Sequence, residues 1–538
     1  MATDEKKSPM GKVDSNEVGV VTQGETIGVT VGGLHRRLNN RQIQLISVGG
    51  AIGTALFISI GGGLARGGPA SMVIAFTLYS GVLALVNNSI AEMSTYMPVS
   101  GGFIRLAGNW VDDAWGFMAG WNFFCYEALG NPFEITALTF VISFWTDEIT
   151  KPGATAGFCC AIIICYLLLN VVAVKWFGEA EFWLSGGKLL LIFILFSFTF
   201  VTMVGGNPQH DAYGFRHFSN QGPFAKFRNT DNPAMGRFEG ILAALCIYIK
   251  NAFITVYWRF CIFFIVGALA VAIACPYNDP ILVDVYLGSG EGGGTAAGSP
   301  YVIAMANMGI GTLPHIVNAL LLTSIFSAGN TYVFCATRTL HGLALEGRAP
   351  RFLSYATKDG VPLYAFGVVM LFPCLSFLQV SNGSAKVLGW LVTIITGGGL
   401  INYISMGVTF LNYHAACKAQ GVDRSTRPYY GRFQPYGAWI ALVIQVVIVL
   451  CYGYTAFSPF SVDSFFANYT MQLLAVCTFC GWKLFKKTKY IRPHEVDLVW
   501  ERPLIDEYEA SCTDVPVGFW TEMAQMVGLR RNKGQSSA

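Results

Sequence analysis

The sequence predicts an all-α protein that crosses a lipid bilayer many times, and three observations carry that prediction. The 538-residue chain is 53% apolar and only 12% charged, with a mean hydropathy of +0.48, too oily and charge-poor for a soluble enzyme. Apolar runs close to the roughly 20 residues needed to cross the hydrocarbon layer recur along it. Lysine and arginine collect in alternate loops between those runs, as the positive-inside rule asks of a multi-span protein. The net charge of +3 says nothing about partners, because the charges lie in tails and loops.

Residues 1–42 read as a polar N-terminal tail without the apolar h-region of a signal peptide. Arg36, Arg37 and Arg41 directly precede the first span and place the N-terminus in the cytoplasm. That span, 43–65, is uncharged but holds Gly49, Gly50 and Gly53 at its centre and Gly61, Gly62 and Gly63 near its end. Glycine inside a helix costs about 1 kcal/mol against alanine, and loosened backbone survives in lipid only where protein or a polar cavity takes up its N–H and C=O groups. Two readings fit: a broken helix whose unwound middle binds a ligand, or a close helix–helix contact.

Further spans follow at 71–91, 114–145, 157–175 and 186–206, then at 260–275, 315–337, 363–380, 387–411, 438–457 and 464–482. This makes eleven clear spans inside a membrane domain of 43–482, followed by a C-terminal tail at 483–538. The loop 276–315 has no lysine or arginine and belongs outside. The segments 338–362 and 412–436, with Arg338, Arg348, Arg351, Lys418, Arg424 and Arg427, belong inside, as does the tail opening at Lys483. Both termini are therefore expected in the cytoplasm.

The parity does not close. Two crossings must fit into 239–275, which is shorter than the roughly 40 residues that two spans require, and Lys250 and Arg259 interrupt it. A charge at the bilayer centre costs about 3 kcal/mol on insertion scales. Ile247–Arg259 reads instead as an aromatic, basic interfacial segment, so the sixth of twelve spans is truncated.

Glu127 and Glu134 lie inside the third span with Pro132 between them. Seven residues is close to two helical turns, which sets both carboxylates on nearly one face. An intramembrane carboxylate can bind an ammonium group or carry a proton; the bland alternative is a bond to a neighbouring helix. Glu92, at the inner end of the second span, suits packing or gating better than binding. Cys477 and Cys480 form a CxxC with no second pair nearby, and the seven histidines show no ligand spacing, so neither a metal nor a cofactor is expected. Asn382 and Asn468 head glycosylation patterns in what read as tight loops.

Four passages carry a family resemblance. They are Gly49-Gly50-Ala51-Ile52-Gly53-Thr54-Ala55-Leu56-Phe57 with Gly67-Gly68-Pro69-Ala70; Ala91-Glu92-Met93 through Pro98; Gly120-Trp121-Asn122 through Pro132-Phe133-Glu134; and Ser327-Ala328-Gly329-Asn330 through Thr337-Arg338 to Pro350. Over roughly 36–490 the chain resembles the fungal amino-acid permeases of the amino acid–polyamine–organocation superfamily. The resemblance implies twelve helices, the first ten forming two inverted five-helix repeats with helices 1 and 6 unwound at mid-membrane. It also implies that a substrate carboxylate sits on the backbone N–H groups around Gly50, Ile52, Gly53 and Thr54, which a half-helix N-terminus favours. Glu134 matches the family's Pro-x-Glu and is associated with substrate or proton, with Glu127 as a second proton-coupling candidate and Asn330 as a further substrate contact. The family's sixth helix is missing most of its length here: Cys246 passes almost directly to Tyr248-Ile249-Lys250, a loss of about 25 residues, one span's worth.

The function expected from the resemblance is proton-coupled import of L-amino acids across a fungal plasma membrane, without enzymatic chemistry. Its partners are a small amino acid, protons and the lipid bilayer; nothing points to nucleic acid, and the oligomeric state is not written in the sequence. The alternative is a non-transporting amino-acid sensor, or a splice or gene-model variant of a permease left with half a site.

Overall fold

The computed structural model describes residues 55–171, 177–219, 222–225, 235, 237, 258–287, 299–357, 360–382, 384–427, 429–457, 460–503 and 505–506. Among these, the only β-type pairing is an isolated bridge between Phe457 and Phe460; everything else regular is helical. A π-helical stretch, Ala55–Ser59, leads into α1 (Ile60–Tyr96). There follow α2 (Phe103–Trp110), α3 (Asp113–Ile142), α4 (Pro152–Val171), α5 (Phe177–Met203), α6 (Trp258–Ala274), α7 (Pro280–Leu287) and α8 (Pro300–Asn307). The remaining helices are α9 (Leu313–Leu345), α10 (Leu363–Asn382, drawn into a tighter 3-10 spiral over Phe372–Leu378), α11 (Ser384–Ala419), α12 (Tyr436–Cys451) and α13 (Val462–Lys486). Six stretches among the described residues are long and apolar enough to span a membrane: Phe57–Tyr96, Pro152–Val171, Gly178–Met203, Leu313–Leu345, Leu363–Asn382 and Lys386–Ala419.

α1 is two helices joined at Gly68, whose φ of 79° and ψ of 174° are not helical. Glycine takes that conformation without steric cost, and a Cβ there would stand 2.6 Å from the amide nitrogen of Ala225. Pro69 then opens the second half, a position where its missing N–H costs nothing. The peptide groups freed by the break are taken up by 222–225: Ala70 N–H donates to Pro223 C=O (2.9 Å) and Ala225 N–H to Gly67 C=O (3.0 Å).

α3 is the axis of the bundle. It packs along α9 and α11 and also meets α2 and α13, while α1 pairs with α6. Every residue from Gly130 to Val141 is buried, so a helix carrying Asn122, Glu127, Asn131 and Glu134 meets protein where its neighbours meet lipid. α4 behaves oppositely: Ile164, Leu167 and Leu168 are exposed apolar residues, as a lipid-facing helix requires.

The two ends of the bundle differ in charge. At one end, Arg348 bonds Asp113 (2.9 Å) and Glu346 (2.7 Å), and Arg424 bonds Glu92 (2.7 Å). The 483–538 stretch, set apart above as a tail, makes ordered contacts at this end as far as Asp506. Tyr96 Oη donates to Leu498 C=O (2.6 Å), Trp110 Nε1 to Asp497 C=O (3.2 Å), and Arg105 pairs with Glu501. The opposite end carries the 276–315 segment, read from sequence as loop, where the structure places α7 and α8. Their signal was present: Pro280 and Pro300 follow Asp279 and Ser299, a residue pair that starts helices, and the Asp279 carboxylate accepts from Ile281 N–H (3.0 Å) and from Asn307 Nδ2 (2.6 Å). Asn382 and Asn468 both lie in helices, not loops, and Asn468 is buried.

Candidate functional site

Both third-span carboxylates are buried on α3, Glu134 with 2% of its surface exposed. Pro132 between them has no N–H to give to the turn before it. Their common neighbour is Tyr332 of α9, whose ring occupies the space a side chain at Gly130 would need, 2.7 Å from that Cβ position. From there the phenol is within electrostatic reach of both Glu134 and Glu127.

One turn further along α9, the Ser327-Ala328-Gly329-Asn330 passage meets α3 and α4 at backbone distance. A Cβ on Gly329 would fall 2.1 Å from Tyr166 Oη and 3.3 Å from Glu134 Cβ, so only a hydrogen fits. Asn131 Nδ2 donates to Gly329 C=O (3.0 Å) and Tyr166 Oη to Phe326 C=O (3.2 Å). Asn330 is buried, and its Oδ1 accepts from Asn170 Nδ2 (2.8 Å). Ser327 Oγ donates to a carboxylate of α5, Glu181.

That last contact exposes residues the sequence reading passed over. Glu181 and Lys188 face each other along α5, Nζ to Oε1 4.0 Å, with side chains 1% and 0% exposed. Lys188 is also within electrostatic reach of Glu134. Glu181 and Lys188 therefore pair, with Glu134 within electrostatic reach, where all three are buried. Such charges are tolerated only in mutual compensation, and a buried carboxylate among them can hold a proton or a cationic group of a ligand. A signal existed: Lys188 is a lone cation before a long apolar run, spaced seven from Glu181 as Glu127 is from Glu134. An ionisable residue in such a run is itself a candidate.

Glu92 has a different role. It is fully buried and takes two bonds from Arg424 (2.7 Å each) and one from Gly431 N–H (3.0 Å), which clamps α1 to the connection between α11 and α12. This fits the packing or gating role expected from sequence.

The proposed carboxylate cradle, Gly50, Ile52, Gly53 and Thr54, lies outside the described residues, as do 239–257, where the truncated sixth span was inferred. Immediately after Thr54, Ala55–Ser59 is π-helical, a wide turn that leaves backbone groups out of the usual ladder. The carbonyl of Ile58 there accepts from Tyr286 Oη of α7 (2.5 Å).

Comparison with known proteins gives this arrangement its context. The family model described as amino acid permease matches residues 42–250 and 248–493. The chain is 38% identical over 506 residues to the general amino acid permease AGP2 of Saccharomyces cerevisiae, covering 88% of this chain and 83% of that one. It is 32% identical over 503 residues to the dicarboxylic amino acid permease of the same yeast (88% and 81%) and 32% identical over 503 residues to the proline-specific permease of Emericella nidulans (88% and 89%). Among solved structures it is similar to the Eremococcus coleocola manganese transporter, at 10% identity and a TM-score of 0.43 over 87% of this chain and 94% of that one, a likeness too distant to add to the assignment. By the family match and these relatives, the chain belongs to the amino acid permease family.

Proposed function

We propose that the chain is a secondary transporter importing L-amino acids with protons across a plasma membrane, its basic end facing the cytoplasm. The observation that carries the reading is the buried cluster of Glu134, Lys188 and Glu181 beside Ser327 and Asn330. A buried intramembrane carboxylate can take up a proton or bind a substrate ammonium, and the alternation of the two couples them. The N–H groups around Gly50, Ile52, Gly53 and Thr54 would receive the substrate carboxylate, with Asn330 as a further contact and Glu127 as a second proton acceptor. The inverted repeat of helices 1–5 and 6–10 follows from the same family reading. The test is uptake of labelled amino acids by cells expressing the chain. Uptake is expected to be saturable, faster at acidic external pH, and reduced with its pH dependence flattened by Glu134→Gln. Uptake that stays pH-dependent and undiminished in that variant overturns the coupling role.

A second reading is a non-transporting form, a sensor or a permease shortened by splicing or gene-model error. Two observations favour it. The family match falls into two segments that meet at 248–250, where the shortened sixth span was read. The aligned length of 506 residues also exceeds 88% of this 538-residue chain by more than a span's worth, about 20 residues, positions at which the relative has residues and this chain has none. Sequencing transcripts between the codons for Cys246 and Tyr248 separates the cases: an uninterrupted junction in every transcript rules out the error. Ligand-induced stabilisation without uptake then identifies a sensor.

A further inference from the structure

Toward the basic end of the bundle, the end of α4, the last three turns of α9 and the start of α10 line a cleft. Its walls are mainly apolar, with Leu169, Phe334, Val361 and Phe366, and three polar side chains enter it: Asn170, Thr337 and Arg338. Two of these already use their donors. The Thr337 hydroxyl donates to Val333 C=O (2.7 Å), and Asn170 Nδ2 donates to Tyr166 C=O (2.9 Å) and Asn330 Oδ1 (2.8 Å). Arg338 is half-buried with its guanidinium over the Phe334 ring (3.9 Å), and among the described residues no carboxylate comes within ion-pair distance of it. It lies seven residues before the end of α9, about 10 Å along the axis. On either side the apolar surface continues outward through Leu167 and Leu168 of α4 and Leu363 and Leu371 of α10, all exposed.

We propose that this cleft binds the headgroup phosphate of an anionic phospholipid from the adjacent leaflet. A guanidinium pairs with phosphate through up to five N–H donors in a planar fork. The apolar walls and shoulders accept the glycerol and acyl portions, which a free inorganic anion lacks. No carboxylate among the described lining residues could receive the ammonium of a zwitterionic headgroup, so an acidic lipid fits better than phosphatidylcholine. Asn170 connects the cleft to Asn330, so the lipid would buttress the α4–α9 contact.

The test is the melting midpoint of the purified full chain in detergent, titrated with phosphatidylserine, phosphatidylcholine or inorganic phosphate. Phosphatidylserine should raise the midpoint and the other two should not. In Arg338→Gln the phosphatidylserine concentration giving half the effect should increase about tenfold, the loss of one charge-assisted bond, with Arg338→Lys intermediate. Leu169→Trp, which fills the cleft and leaves Arg338 in place, should abolish the effect and carries the test if Arg338→Gln does not fold. An unchanged phosphatidylserine response in Arg338→Gln or Leu169→Trp, or an equal response to phosphatidylcholine, overturns the proposal. So does a rise with inorganic phosphate alone, which would mark a free-anion site.

Discussion

Lys188 and Glu181 stand two turns apart on α5, ammonium to carboxylate 4.0 Å, with neither side chain reaching solvent. Removing one partner strands the other as an unpaired buried charge, which costs about 3–5 kcal/mol, whereas removing both is far milder. Lys188→Met should therefore lower the melting midpoint sharply. Lys188→Met combined with Glu181→Gln should recover part of the loss, Glu134 still lacking the ammonium, while leaving uptake impaired. A double variant no more stable than the single one would show that Lys188 is held by other groups.

Gly329 fits between Tyr166 and Glu134 because it has no side chain. Gly329→Ala should destabilise the protein by about 1–3 kcal/mol, the usual cost of overpacking. Since the nearest obstructing atom is the Tyr166 hydroxyl, Tyr166→Phe should relieve part of that cost in the double variant. Thermal melting of the four proteins as a cycle measures the coupling, and simple additivity would contradict this packing.

The Arg424–Glu92 clamp is bidentate, and Glu92 is fully buried. Arg424→Ala leaves that carboxylate with one backbone donor, Gly431 N–H, and should cost about 3 kcal/mol. Arg424→Lys, unable to form the fork, should fall between. If the basic end gates access, proteolysis within 420–436 should also quicken in Arg424→Ala.

Asp112 caps the start of α3, accepting from Ala114 N–H (2.9 Å) and from the Lys483 ammonium. Burial pushes its pKa upward, but the bonds from Lys483 and Ala114 outweigh that and hold it below the ordinary aspartate value. A lowered folded-state pKa means stability that is present above the unfolded value, near 4, and lost as pH falls through the folded one. Asp112→Ala should cost about 1 kcal/mol near neutral pH, as cap removal does. The gap in melting midpoint between variant and parent should close as the solution is acidified below pH ~4. A constant gap down to that range would show that the charge contributes nothing.

Much of the fold was legible because bilayer solvation acts locally. Residues 315–337 and 387–411 sit inside α9 and α11, and the spans read at 43–65 and 71–91 part on either side of Gly68, where the structure breaks α1. The small helices α7 and α8 were missed because apolar runs were sought at spanning length, although Pro280 and Pro300 announced them. The packed part of the C-terminal stretch was missed because its composition resembles a tail, and its order comes from Tyr96, Arg105 and Trp110, nearly four hundred residues earlier.

By itself the sequence determined that this is a helical membrane protein of the permease type, with Glu127, Glu134 and Asn330 as its charged and polar candidates. Hydropathy, glycine breaks and loop charge are properties of a single segment against its solvent, so they need no partner to be read. Only the tertiary structure decided which ionisable groups compensate one another: Glu181 and Lys188 with Glu134 and Ser327, and Arg424 with Glu92. A buried charge is stabilised by whatever packs against it, and that is set when α3, α5 and α9 come together.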